Sequence, residues 1–556
     1  MQDFVYYNPS GIDFPIDESV LIATNKEEIS SSNFLISNSS ETNSEVTAKE
    51  IDFYIRNSKD SLPTMIKTLP LLYEMCATQY DNTEDMEYSA NIENKILIIA
   101  PKEKVSEFIS HTESDEFDLY DTTEDKILKI SGHIGNLSVL VQSTDKEVLL
   151  QVDQIVWFDA KEMGYEQSGT IDPNLSSIEK TLEVLRANIL EYNYKKYITY
   201  STTSCQYHER REEICSKCEE VCPTTAITKN DELKHLVFSD IDCLGCGGCV
   251  SICPTAAIDY ALLNKDSIYE ISYFYHDRHP LIIPSKMDIE NLNVDLKENV
   301  LPLCIEGEKF LDEASFITLT QMSGSQVIFY SDFLSKGTSD AIDILNAIYQ
   351  KKYHKNAILV ASNQEELEAC ITEVSFIENS KFNSNQRNQR KRETFSFRLQ
   401  HLVGDDDLGT VKTGEHIHYS KVEVNESNCT LCLSCVGACN VDALIADPKD
   451  NTLRINPSLC TSCGYCESSC PEKDCLTIKR DEIELNPTWF KEQVLAKDTL
   501  FACVECGVEF ATTKAVEKIA NILGPVFASD PVKQRTLYCC ENCKAKLMIK
   551  QGLLNG

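Results

Sequence analysis

Apolar residues in this chain fall in short unbroken runs separated by stretches of helical period, and that alternation predicts much of its architecture. NKILIIAPKEKVSEFIS at 94–110 reads as a buried strand followed by a helix, LSVLVQ (137–142) and DQIVWFDA (153–160) as strands, and IEKTLEVLRANILEY (178–192) as a helix. Together they predict an α/β domain over 91–198. A second series is more regular. LPLC (301–304), QVIFYS (326–331) and AILVAS (357–362) alternate with the helical EGEKFLDEASFITLTQM, SDAIDILNAIYQKKY and EELEACITEV. This β-α-β-α-β-α order predicts a small parallel sheet with covering helices, and a further α/β domain over 266–378. Before residue 90 only isolated segments stand out, such as FLIS at 34–37 and LPLLYEM at 69–75, so 1–90 is a segment of unclear fold. The polar ENSKFNSNQRNQRKRE begins a linker over 379–415. The fold class is multidomain, α+β or α/β.

No apolar run approaches the roughly 18–20 residues that cross a bilayer. The N-terminal MQDFVYYNPSG lacks the basic-then-apolar order of a signal peptide. A cytoplasmic location is expected, and in a reducing compartment grouped cysteines are metal ligands more often than disulfides. That expectation matters because the 556 residues include 25 cysteines. A formal net charge of −36 disfavours nucleic acid and anionic membranes as partners. The densest basic stretch, QRNQRKRE at 386–393, reads as a solvated linker. There is no G-x-G-x-x-G after a strand, no P-loop and no nucleophile elbow, so no catalytic residue is assigned.

The cysteines have a grammar. The first group runs Cys215-x2-Cys218-x3-Cys222-Pro223, then after 20 residues Cys243-x2-Cys246-x2-Cys249-x3-Cys253-Pro254. The second runs Cys429-x2-Cys432-x2-Cys435-x3-Cys439, and again after 20 residues Cys460-x2-Cys463-x2-Cys466-x3-Cys470-Pro471. Shifting the chain by 217 residues lays the seven cysteines from Cys215 to Cys253 on those from Cys432 to Cys470 without a gap. An internal duplication explains this. A C-x2-C-x2-C loop can wrap three corners of a [4Fe–4S] cube, and the fourth thiolate must come from elsewhere. Zinc knuckles use paired C-x2-C units instead. Small residues such as Gly245, Gly247 and Gly248 allow the tight turn. The apolar residues that follow (Ala226 and Ile227, Ala257 and Ile258, Ala443 and Leu444) would shield a cube from water.

Both groups resemble the bacterial dicluster ferredoxin family, over 199–265 and 416–484. The resemblance implies that Cys429, Cys432, Cys435 and Cys470 hold one cube and Cys460, Cys463, Cys466 and Cys439 its neighbour. In the first module Cys243, Cys246, Cys249 and Cys222 form one set, and Cys215, Cys218 and Cys253 need a fourth ligand. Cys205 is expected to supply it across the nine-residue insertion QYHERREEI, with His208 or a three-iron cluster as the alternatives. Asn440 replaces the proline that follows the swapped cysteine elsewhere. The implied cofactors are four [4Fe–4S] clusters, one of them open to the three-iron alternative. Lys217, Lys229, Lys479 and Arg480 are expected near the cubes.

In the C-terminal domain, 485–556, Cys503-Val-Glu-Cys506 and Cys540-Glu-Asn-Cys543 flank a helical TKAVEKIANIL. Two such knuckles make a zinc-ribbon-like site for one zinc, with Cys539 competing with Cys540 and a rubredoxin-like iron as the alternative. Cys76 and Cys370 read as buried thiols and Cys475 as packing beside a cube. Cys304 faintly resembles a position in the delta-subunit domain of methyl-viologen-reducing hydrogenases, but the cysteines that should accompany it are missing, so it too reads as a buried thiol. His416 and His418 read as a surface strand. The expected function is electron transfer as an accessory component or subunit of an anaerobic redox enzyme, of formate dehydrogenase or hydrogenase type. The partner would dock through a basic surface, and the rival role is a non-catalytic scaffold or maturation factor.

Overall fold

The computed structural model describes residues 4–7, 21–25, 34–38, 44–83, 87–143, 146–210, 214–384 and 389–554. In the N-terminal segment, Leu21–Ala23, Phe4–Tyr7, Phe34–Ser37 and Val46–Thr47 pair in that order as a parallel sheet. Helices Lys49–Asn57 and Leu62–Asp81 follow. LPLLYEM lies in the second helix, where Leu69, Leu72, Tyr73, Met75 and Cys76 join the same hydrophobic core as the second α/β domain. Arg56 caps the Ile289 and Leu292 carbonyls, and the Asn57 side chain accepts from the Val294 N–H at 2.9 Å. The N-terminal helices are thereby fastened to that domain.

In the first α/β domain, Thr170–Ile171, Gln154–Trp157, Lys95–Ile99 and Asp118–Thr122 form a parallel sheet. LSVLVQ belongs elsewhere, as the middle strand Asn136–Gln142 of an antiparallel meander with Ile127–His133 and Glu147–Val152. Its burial alternates, as expected of a sheet with one wet face. Helix Ile178–Asn188 is capped by the Ser177 side chain.

The second α/β domain has the parallel order Val300–Ile305, His279–Pro284, Val327–Tyr330, Ile358–Ala361. The interior strand, HPLIIP, is not predicted by the apolar pattern because Pro280 and Pro284 read as breakers. Helices Glu313–Ser323, Lys336–Tyr353 and Gln364–Glu373 are each capped by the preceding Asp312, Ser335 or Asn363. Because Asp312 caps the first of them, residues 306–311 remain a loop, and Lys309 donates its N–H to the Cys246 carbonyl at 2.8 Å.

Each cysteine group is framed by two antiparallel ribbons. In the first, Ile198–Tyr200 pairs with Ile258–Tyr260 and Ile227–Asn230 with His235–Phe238. In the second, Ser420–Val424 pairs with Leu476–Arg480 and Leu444–Asp447 with Thr452–Ile455, to which Gln493–Lys497 adds a third strand.

The 379–415 stretch corrects the solvated-linker expectation. It contains helix Lys391–Val403, and Lys391 and Arg392 are 4% and 3% exposed. Burial is tolerated because the charges are matched: Lys391 Nζ lies 3.0 Å from Glu313 and 3.4 Å from Asp312. The Arg392 guanidinium lies 3.6 Å from the centre of the Tyr419 ring. His416 and His418 lie just before strand Ser420–Val424 rather than in it. Among the described residues no helix is long and apolar enough to cross a membrane.

Candidate iron–sulphur and metal sites

The C-x2-C-x2-C loops fold around their own sulphurs. Backbone N–H groups of Gly245, Gly248, Leu431, Ser462 and Tyr465 lie on Cys243, Cys246, Cys429, Cys460 and Cys463, each two residues earlier in the chain. Such turns need positive φ, found at Gly245 (66°) and Gly247 (81°), at Leu431 (52°) and Leu433 (61°), and at Ser462 (60°) and Gly464 (85°). Glycine was expected there, and three of these six positions hold other residues that accept the left-handed conformation. At Gly247 glycine is required for a second reason. A Cβ there would stand 2.5 Å from the Phe310 Cβ in the loop that covers the motif.

Two of the four expected sets line well-formed cavities. Cys439, Cys460, Cys463 and Cys466 surround about 350 Å³ of open space walled by Val422, Val441, Leu444, Ile455 and Ile478. Cys205, Cys215, Cys218 and Cys253 surround another of about 350 Å³, walled by Tyr200, Tyr207, Leu236, Ala257 and Ile258. In the other two sets, Cys243 and Cys246 lie near Cys222 and Cys249, and Cys435 lies near Cys429, Cys432 and Cys470. Burial pushes the Cys215 and Cys435 thiols up to about 12 and Cys243 to about 11, so binding a cation there must release protons. Four convergent sulphurs, apolar walls and aimed N–H groups are a donor set that fits a [4Fe–4S] cube.

Cys205 sits where an ordinary first ligand would. It follows its strand end, Tyr200, at the distance at which Cys429 follows Val424. The insertion lies between Cys205 and Cys215, and residues 211–213 of it fall outside the described residues. His208 does not line the cavity. It stacks on His235 at 4.4 Å, and a ring nitrogen of each comes within 4.8 Å of a Glu209 carboxylate oxygen.

At the C-terminus, Cys503, Cys506, Cys540 and Cys543 place their sulphurs within 4.8 Å of one another. Hairpin Leu500–Ala502/Glu509–Thr512 carries the first pair, and the second stands at the start of helix Glu541–Leu554. Burial pushes the Cys503 thiol up, yet the N–H groups of Cys540, Glu505 and Cys506 outweigh it and hold it down to about 6. Cys540 is the member of the group, while Cys539 stays beside Cys503 and donates to the Arg535 carbonyl at 3.3 Å. This is the closed four-sulphur geometry of a structural zinc, and it fits the ion.

The remaining cysteines separate. Cys370 faces the Val360 carbonyl in the core. Cys475 is buried against Cys429 and Cys470, beside a site as expected. Cys76 and Cys304 both approach the wholly buried Glu50, whose carboxyl burial pushes up. Of the expected cations, Lys217 reaches the His416 carbonyl at 2.5 Å, Lys229 pairs with Glu219, Lys479 with Glu482 and Arg480 with Glu467. Lys309, Lys391 and Arg392 are brought to the sites by tertiary packing, at the carbonyls of Cys246, Cys253 and Pro254. A cavity of about 730 Å³ lies between the first module and helix Lys391–Val403 and is lined by Asp259, Lys265, Asp312 and Arg398.

Residues 213–262 match the LdpA Fe-S cluster-binding domain, and residues 421–471 match a 4Fe-4S dicluster domain. The chain is an iron–sulphur protein of ferredoxin-like kind. More particularly, it is similar to the archaeal-type glutamate synthases [NADPH] of Thermotoga maritima and Thermotoga sp. (strain RQ2), at 28% identity over 76 residues in each. That similarity covers 13% of this chain and 15% of each relative, so the chain spans only a small part of their length.

Proposed function

We propose that this chain is an electron-transfer protein that holds four [4Fe–4S] clusters, serving as an accessory component or subunit of an anaerobic redox enzyme of formate dehydrogenase or hydrogenase type. The observation that carries the reading is the repetition of one four-thiol arrangement, twice around a cavity of about 350 Å³. Cys205 serves as the fourth ligand beside Cys215, Cys218 and Cys253. When bound, each cube supplies a one-electron carrier; the chain supplies thiolates, N–H donors and apolar cover. Cys503, Cys506, Cys540 and Cys543 hold one zinc that fixes the tail. Thr512 of the tail donates to the Thr430 carbonyl at 2.8 Å, beside Cys429, so the tail covers one end of the second module. The net charge of −36 supports a partner that docks through a basic surface.

Anaerobic purification with metal and sulfide analysis tests the reading. About sixteen iron, sixteen sulfide and one zinc per chain are expected, with visible absorption that bleaches on dithionite and returns on giving electrons to an acceptor. Iron near eight would remove one module. Clusters that neither bleach nor recover would favour the scaffold role.

A further inference from the structure

The two modules meet along a seam built from the neighbours of the ligand cysteines. Asn440, next after Cys439, donates its side-chain amide to the carbonyls of Ser204 at 3.0 Å and Cys205 at 3.4 Å. Reciprocally Gln206, next after Cys205, donates to the hydroxyl of Thr461, next after Cys460, at 2.5 Å. Both partners of the second bond are buried, at 3% and 6% exposure. Arg210 closes the seam, bonding the Ala438 carbonyl at 3.3 Å and lying over the Tyr465 ring. Ligand cysteines of different modules are thus joined by two routes, each crossing a single hydrogen bond. The proline that follows the swapped cysteine at 223, 254 and 471 would have no amide to donate, so Asn440 is the departure that makes one route available.

Within each module the sites are also neighbours. Cys218 lies near Cys249 and Cys435 near Cys466, on packed pairs of short helices. The four sites therefore run in line, from the Cys243 site through the Cys205 and Cys460 sites to the Cys432 site. Residues at both ends reach the surface: Leu244 is 69% exposed, and Cys432 and Leu433 are exposed as well.

Cations gather at the middle of this line. Arg392 donates to the Pro254 carbonyl at 3.4 Å and to the His418 carbonyl at 2.9 Å. Lys391 donates to the Ser251 and Cys253 carbonyls, and Arg390 to the Asn440 carbonyl at 3.1 Å. Each is matched by carboxylates, Lys391 by Glu313 and Asp312, Arg392 by Glu313 and Arg390 by Glu393 and Asp442, so the helix start braces the seam as a set of neutral pairs.

We infer that the seam is an electron-transfer junction: the Cys205 and Cys460 sites exchange electrons across Asn440 and Gln206, which makes the two modules one relay. The inference rests on the proposed loading of four clusters. An electron from a low-potential donor arrives at one end, and each transfer oxidises one site and reduces the next by one electron. No bond is made or broken and no proton is moved.

The test is an EPR-monitored potentiometric titration of the full, cluster-loaded chain carrying Asn440→Asp, which sets a carboxylate between the two central sites at almost unchanged shape. The expected result is that two of the four clusters become harder to reduce, by about tenfold in equilibrium constant, or 59 mV for a one-electron couple. The other two should not move. A shift confined to one cluster, spread equally over all four, or absent overturns the junction. If Asn440→Asp lowers the iron content, Gln206→Glu places the charge from the other module and reads the same outcome. A wild-type chain without sixteen iron fails the proposed function instead, and iron analysis before titration separates the two failures.

Discussion

On the proposed reading Cys205 supplies the fourth thiolate beside Cys215, Cys218 and Cys253, whose cavity it lines. Loops of the C-x2-C-x2-C kind are written in consecutive residues because one turn of backbone does the wrapping. The ligand ahead of Cys215 was ambiguous because an insertion of nine residues separates it from the turn, and sequence distance no longer measures spatial distance. Cys205→Ser should cost about four iron per chain and remove one cluster's EPR signal, or convert it to a three-iron signal. His208→Ala should leave the iron content unchanged, since His208 stacks on His235 outside the cavity. Loss of iron in His208→Ala with retention in Cys205→Ser would reverse the assignment. A second residue gives a pH signature. Burial, helped by Lys297, lowers His279 from 6.5 to about 4, and its Nδ1 lies 2.6 Å from the Ser325 hydroxyl. Between those values the unfolded chain binds a proton that the fold excludes, so this contribution to stability is full above pH 6.5 and is lost as pH falls toward 4. Denaturation midpoints of wild type and His279→Gln at pH 7 and pH 5 should converge at the lower value. Parallel curves would show that His279 titrates alike in both states.

Elements were legible where pattern and burial coincide. The strands and helices of the second α/β domain fall close to their expected positions, because fully buried parallel strands read as continuous apolar runs. Two elements were hidden for separate reasons. HPLIIP hid behind its prolines. Helix Lys391–Val403 hid because composition cannot tell a solvated charge from one matched inside the protein, and the matching partners Asp312 and Glu313 lie some eighty residues earlier. Its burial makes a strong prediction. Lys391→Ala would leave two buried carboxylates without their cation and remove donors from the Ser251 and Cys253 carbonyls. Breaking one side of such a pair costs about 3–5 kcal/mol, to be read as a lowered urea midpoint with unchanged slope. A change under about 0.5 kcal/mol, the range of ordinary surface substitutions, would restore the solvated-linker reading.

At the scale of the whole molecule, the seam was beyond the sequence, since the duplication shows two modules but not how they face one another. Charge was legible, and it bears on function together with the clusters. Each cube with four thiolates carries a net charge of about −2 when oxidised and about −3 when reduced, so loading makes the chain more acidic than its formal −36. An added electron is opposed by this field, least where cations and N–H groups lie beside the site. At least one cluster is therefore expected to titrate near the low potential of ferredoxins, roughly −400 mV. The same field governs association. A basic partner should be drawn to the chain quickly at low salt, and raising salt should slow association far more than it speeds dissociation, because screening acts on the encounter. Stopped-flow binding to a candidate enzyme across ionic strength, beside the redox titration, measures both effects. Four clusters all above roughly −200 mV, with association indifferent to salt, would contradict a low-potential carrier and leave a scaffold or sensor as the better account.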